Sequence, residues 1–254
     1  MGTGRCTRGL DVIHSNDDWG CAGLAIRASV AAMGDRWQPW LDLVLPRSCG
    51  GCGRPGLDWC GGCARALLLR RPRLVAVPGE CVPVAAVVGK HEGLLRRAIL
   101  THKRASIPRL RAVLIVLMAA LIASVRPVAM ARGLWRPPLA LACVPPSGWH
   151  PNRIPMVEVV DPVAGECAAY APKLLSAARR RRPQKGLAAA ARASNVRQAF
   201  RADPSRAPPG VLSVVIVDDV ITTGASIREA ARAVRAAGLL PVAAVALAQA
   251  EIAT

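Results

Sequence analysis

The chain has 254 residues, 52% of them apolar, with 34 basic against 16 acidic side chains and a net charge of +18. That length suits one large domain or a medium domain with a small module, and the apolar share excludes disorder throughout. With a single Phe and a single Tyr, the core must be built from Ala, Val, Leu and Ile.

Only Lys90, Lys103, Lys173 and Lys185 are lysines; every other basic residue is Arg. An Ala, Arg, Gly and Pro bias of this kind accompanies GC-rich coding, so the charge says less than its size suggests. It still favours polyanions, either nucleic acid or phosphorylated metabolites, without choosing between them. The longest apolar run, Ala112 to Val125, has 14 residues, short of the ~20 needed to span a bilayer, so no membrane insertion is expected. Residues 1–35 carry Asp11, Asp17, Asp18 and Asp35 and no unbroken apolar stretch. No secretory leader is therefore expected, and the expected setting is cytoplasmic, with reduced thiols.

In chain order, residues 1–36 lack periodicity and read as an extension, either a disordered tail or the product of an upstream start codon. Residues 37–70 form a cysteine-rich module. Within it, Pro46 to Cys63 reads PRSCGGCGRPGLDWCGGC, Gly-rich and without helical or strand period, so something other than a core must hold it. Cys49-x2-Cys52-x7-Cys60-x2-Cys63 gives two knuckles, and tetrahedral Zn2+ takes four thiolates at such paired positions. One C-x-x-C can be a redox pair; two in a Gly-rich segment favour structural zinc bound by Cys49, Cys52, Cys60 and Cys63. Cys6, Cys21, Cys81, Cys143 and Cys167 show no paired spacing and read as buried thiols.

Residues 71–254 have a different character. The stripe Leu94, Leu95, Ala98 and Ile99 predicts a helix after Gly89, with His91 and His102 on its faces, and a second helix covers Arg109 to Ser124. Leu139 to Val144 reads as a buried strand stopped by Pro145-Pro146-Ser147-Gly148. The run Arg179 to Arg182 reads as a solvated helix end or a polyanion contact. Gly186 to Phe200 is Ala-rich and helical in pattern, Asp203 to Gly210 is a Pro-rich loop, and Val211 to Val217 is a strand covered on both faces. Ala225 to Ala237 is a helix with Ile227, Ala230, Ala231 and Val234 inward and Gly238 as its stop. Pro241 to Leu247 is a last buried strand. Strands alternating with helices predict an α/β fold.

Leu212 to Ser226, LSVVIVDDVITTGAS, carries the chemistry. Ligands of open α/β sheets sit beyond the carboxyl ends of strands, where Asp218 and Asp219 emerge. Thr222, Thr223, Gly224, Ala225 and Ser226 then offer closely spaced N–H groups and three hydroxyls at a helix N-terminus, a phosphate cradle. The carboxylates can accept hydrogen bonds from a vicinal diol or bind ligand-held Mg2+ through water. A phosphate and a diol together describe a ribose 5-phosphate. A P-loop enzyme is excluded because no G-x-x-x-x-G-K-[ST] occurs, and a dinucleotide site because no G-x-G-x-x-G follows a strand. A receiver domain would need more chain after its aspartates than the 35 residues following Asp219.

Val214 to Ser226 resembles the phosphoribosyl pyrophosphate (PRPP) signature of type I phosphoribosyltransferases, and within that superfamily the chain is most similar to the ComF family, associated with natural competence. Gln184, Leu187, Arg192, Asn195 and Phe200 at Q-x2-L-x4-R-x2-N-x4-F spacing carry the match, with His91-Glu92-Gly93, Arg96, Ile99, Lys103 and the four clustered cysteines. The resemblance covers roughly residues 40 to 250. It implies a type I phosphoribosyltransferase-like parallel sheet flanked by helices and preceded by a small zinc-binding module. It further implies Asp218 and Asp219 on the ribose hydroxyls, Thr222 to Ser226 around the 5-phosphate, and Mg2+ arriving with PRPP. Where the family carries an Arg-Gly-x-Asn-like segment, this chain has Trp149-His150-Pro151-Asn152-Arg153, leaving Ser147, Gly148 and Arg153 as candidate pyrophosphate contacts.

Two functions follow. In the first, pyrophosphate leaves PRPP and a nucleophile captures C1, with catalysis by positioning and charge stabilisation. In the second, the chain is a non-catalytic PRPP sensor or a single-stranded DNA handler in DNA uptake, its zinc module and Arg surface contacting nucleic acid. The scarcity of Phe and Tyr leaves this second version few side chains on which bases could stack.

Overall fold

The computed structural model describes residues 48–77, 79, 81–146, 156–166, 169–170, 173–178, 198–207 and 209–250. Ser147, Gly148 and Arg153, the Arg179 to Arg182 run, most of the Gly186 to Phe200 segment, residues 1–36, and Cys6, Cys21 and Cys167 lie outside them.

The described elements are α1 (Gly61–Leu68), β1 (Arg73–Val75), β2 (Ala85–Lys90), α2 (Gly93–His102), α3 (Pro108–Ala131), β3 (Leu139–Cys143), α4 (Val157–Glu166), β4 (Ala169–Tyr170), β5 (Leu175–Ala177), β6 (Phe200–Ala202), β7 (Ser213–Ile221), α5 (Ala225–Ala236) and β8 (Leu240–Gln249). Six strands form one sheet in the order β1-β2-β8-β7-β3-β4. Five of them run parallel, and β1 pairs antiparallel with β2 at the edge. A separate antiparallel ribbon joins β5 to β6.

Both faces of the sheet are covered, as the unbroken apolar strands require. Side chains alternate between two cores: Val215, Val217, Leu139, Leu141, Val245 and Leu247 face α2, α3 and α4, while Val214, Ile216, Ala140, Ala142, Ala244 and Ala246 face α5 and the ribbon. Alanine on the second face lets α5 lie close, through Ile227, Ala230, Ala231 and Val234 as the pattern predicts. Gly238 ends that helix at φ +78°, with its N–H on the Arg235 carbonyl at 3.0 Å.

The second predicted helix is longer than its apolar run. It continues past Arg126 and Pro127 to Ala131, making α3 a 24-residue helix. Pro127 is tolerated because it sits on the exposed side, where a bent helix can turn the carbonyl that Pro leaves unpaired toward water. By length and composition α3 could cross a membrane; here Leu114, Leu117, Met118, Leu121 and Val125 are buried in the first core.

Phe200 opens strand β6 rather than closing a helix. Its N–H donates to Glu229 at 3.3 Å and its ring is buried against α5. Elements α1, β1, β2, α4, β4 and β5 are ones that the sequence pattern above does not assign.

Candidate functional site

The topology singles out one end of the sheet, between β3 and β7. The crossovers from β2 through α2 and α3, and from β3 through α4, pass over one face, whereas β7 returns through α5 over the other. The adjacent strands β3 and β7 therefore send their connections in opposite directions, and the crevice at their carboxyl ends is the switch point where such sheets take ligands.

β3 stops there and β7 does not. Cys143 pairs with Val217, the Val144 N–H donates to the Val217 carbonyl at 2.8 Å, and beyond that point β7 pairs with β8 alone. Asp218 and Asp219 thus lie within β7, not past its end, because β8 continues to support it as far as Ile221 paired with Gln249. The strand's alternation is interrupted across the two aspartates: Val217 and Val220 both belong to the α3 side and Ile221 to the α5 side. Asp218 Oδ1 accepts the Asp219 N–H at 2.8 Å. Both aspartates are half-buried.

The loop follows at once. Thr222 is exposed, Thr223 half-buried and Gly224 buried. Gly224 caps α5 at φ +70°, a left-handed conformation that other residues adopt only with strain. Thr223 Oγ1 accepts the Ala225 N–H at 3.4 Å, which closes the turn against the helix start. This brings Asp218, Asp219, Thr222, Thr223, Gly224, Ala225 and Ser226 to one end of the sheet, in chain continuity. Ser147, Gly148 and Arg153 follow β3 in sequence but fall outside the described residues.

Three further residues reach the site that motif spacing did not assign to it. Arg228 donates from Nη1 to the Thr223 carbonyl at 3.0 Å, placing a guanidinium against the loop. Lys103, just past α2, pairs its ammonium with Asp219. His91, whose N–H donates to the Gln249 carbonyl at 2.7 Å, precedes α2. Burial, with Arg96 and Lys103, lowers the His91 pKa against the opposing pull of Asp219. Arg228 was findable as the first charge after the loop; Lys103 and His91 are more than a hundred residues from Asp219 in sequence.

Cys143 lies on β3 beside the aspartates. Burial, then Asp161 and Asp218, push its thiol up to about 12. Cys143 is half-buried rather than a fully buried thiol, whereas Cys81 is buried and desolvation raises its thiol.

The second candidate site is the cysteine cluster. Ligand atoms of Cys49, Cys52, Cys60 and Cys63 lie within 4.8 Å of one another. A tetrahedral ion about 2.3 Å from each sulfur sets them about 3.8 Å apart; Cys49 to Cys63 is 3.8 Å and Cys52 to Cys60 is 3.7 Å. The Cys60 N–H donates to Cys49 Sγ at 3.3 Å and the Cys63 N–H to Cys60 Sγ at 3.5 Å, the donors that thiolates need. Burial raises the Cys49 thiol, but the backbone N–H groups of Cys60, Cys52 and Gly51 outweigh it and bring it down to about 6. The four cysteines could bind a metal such as zinc.

Contrary to its sequence pattern, this segment is also held by a core. Cys49, Trp59, Cys60, Cys63 and Leu67 share the cluster that contains Leu95, Ile99, Leu110 and Leu114. A Cβ on Gly50 would meet Thr101 Oγ1 at 2.8 Å, so the first knuckle rests directly on α2. Arg109 Nη1 also donates to the Trp59 carbonyl at 3.4 Å. Local period does not reveal this packing, because the segment borrows its apolar partners from helices that come later in the chain.

Compared with known proteins, the chain matches no protein-family model and no curated protein.

Proposed function

We propose that the chain binds the phosphoribosyl group of Mg2+-PRPP at the carboxyl end of β7 and transfers or recognises it, as a type I phosphoribosyltransferase-like protein of the ComF kind. The observation that carries this reading is the placement of Asp218 and Asp219 beside the β3–β7 switch point, directly followed by a loop that Gly224 turns into the N-terminus of α5. In this reading the carboxylates accept hydrogen bonds from the ribose diol. N–H groups of Thr222 to Ser226 receive the 5-phosphate, favoured by the helix dipole. Arg228 adds positive charge behind the loop. Mg2+, carried in on the ligand, would neutralise pyrophosphate charge as it leaves. The cysteine cluster holds structural zinc and buttresses α2.

The test is isothermal titration of Mg2+-PRPP into zinc-loaded protein, with the Asp218→Asn/Asp219→Asn double variant alongside. Saturable binding is expected in the wild type. Losing two charged acceptors should weaken it by about 2–3 kcal/mol, roughly thirty- to a hundred-and-fiftyfold. A wild type that takes up no PRPP overturns the proposal.

A further inference from the structure

The Lys103–Asp219 pair is no loose surface contact. The two side chains are only 16% and 24% exposed, and the Lys103 N–H is tied to the Ile99 carbonyl at 3.1 Å. Lys103 ends a helix gripped from two sides. Leu95, Ala98 and Ile99 are buried in the core, while Thr101 and Leu94 abut Gly50 and Gly51 of the cysteine module. The backbone from which the ammonium reaches Asp219 is therefore held by rigid structure.

Its charge changes what the aspartates can hold. Two adjacent carboxylates alone would attract a hard divalent cation. With an ammonium already on Asp219, that carboxylate's charge is offset and one of its two oxygens is engaged. Around the pair, His91 and Arg96 stand on the α2 side and Arg228 behind the loop, while Asp161 of α4 and Asp218 both act on Cys143 of β3; Lys103 is the cation in direct contact with Asp219.

We infer that Lys103 is the built-in counter-cation of Asp219, a positioning residue that keeps a bare divalent cation off the aspartate pair and admits metal only in company with an anionic ligand. The inference takes from the reading above only that these aspartates are the ligand carboxylates. An incoming phosphate offers the ammonium a new partner. Lysine suits that exchange, being a point charge with three donors on a flexible stem.

The experiment titrates Mn2+ into the zinc-loaded full chain and follows the free-ion signal by electron paramagnetic resonance, with and without PRPP. Mn2+ prefers oxygen ligands, and zinc guards the thiolates. Wild type is expected to leave bare Mn2+ free. Lys103→Met should gain one Mn2+ site about tenfold or more tighter, Lys103→Arg should restore exclusion, and Asp219→Asn in the Lys103→Met background should abolish the gained site. Circular dichroism and zinc content check folding, and Lys103→Gln replaces the Met variant if that one does not fold. Equal affinity for bare Mn2+ in wild type and Lys103→Met, at any strength, overturns the inference. Uptake with PRPP is read against protein-free Mn2+–PRPP; if Lys103 excludes the bare ion as expected but PRPP promotes no uptake by the wild type, the phosphoribosyl reading falls with the admission half of the inference, and the exclusion by Lys103 stands.

Discussion

Gly51 sits so close to Cys63 that a Cβ added to it would meet the Sγ at 2.7 Å, with Leu94 Cδ1 at 2.9 Å on the other side. The first is a candidate metal ligand that cannot yield without moving the cluster, whereas the second is the tip of the half-buried Leu94 side chain of α2, which can swing aside. Gly51→Ala should therefore destabilise the zinc-loaded protein by about 1–3 kcal/mol, the usual cost of overpacking, and weaken its hold on zinc. Urea denaturation and competition with a chromophoric chelator measure the two effects. A variant as stable and as tight as wild type would mean that the knuckle does not rest on α2.

His102 is 1% exposed, and neither ring nitrogen finds a partner among the described residues. Burial lowers its pKa below the ordinary histidine value, with Arg111 and Lys103 in the same direction and Glu158 opposed. The unfolded chain then takes up the proton more readily than the folded one. This group's contribution is therefore fully present above about pH 6.5 and is lost as pH falls toward the depressed folded value. His102→Leu should raise stability by about 1–2 kcal/mol at pH 7, since an unpaired buried polar group is costly, and should flatten the stability profile between about pH 6.5 and 5. Thermal melts across that range are the measurement; a destabilised variant with an unchanged profile would contradict this account.

Glu229, 5% exposed, latches the ribbon to α5. It accepts the Phe200 N–H at 3.3 Å and a two-point contact from Arg232 at 2.8 and 2.9 Å, while Arg232 Nη2 donates to the Phe200 carbonyl at 3.1 Å. Burial raises the carboxyl pKa, but the Arg232 and Phe200 hydrogen bonds outweigh it and hold it below the ordinary glutamate range. Stability from this group is complete above about pH 4.3 and disappears as pH falls further. Glu229→Gln should cost about 2 kcal/mol at pH 7 and remove that part of the acid dependence. Denaturant midpoints at pH 7 and near pH 3 would show the gap between variant and wild type closing; a constant gap refutes the latch.

Gly224→Ala separates loop shape from bulk stability. At φ +70° a Cβ costs about 1–2 kcal/mol, which the fold should survive. The N–H groups of the loop would be re-aimed, so PRPP binding should fall at least tenfold in a titration while the melting temperature drops only a few degrees. Undiminished binding would detach the loop from the ligand.

The strands and helices most legible in the sequence were those with uninterrupted pattern. Val211 to Val217 reads as a strand covered on both sides because its apolar run is nearly continuous, although the strand begins at Ser213, and the inner stripe of α5 is readable residue by residue from its helical period. The boundaries moved where neighbours decide them: β8 carries β7 four residues past Val217, through both aspartates, and the exposed position of Pro127 lets α3 run on to Ala131.

The sequence by itself determined the chemistry available at each of the two candidate sites. Four cysteines at paired spacing, and an Asp-Asp followed by a Thr-Thr-Gly loop, each fall within a short stretch of chain, so their residue types can be read together. Only the tertiary structure decided what surrounds them. Lys103 reaches Asp219, Glu229 reaches Phe200, and Gly50 rests on Thr101 across separations of 116, 29 and 51 residues. Such pairings are set by sheet order and helix packing, which depend on the whole core and leave no local period to read.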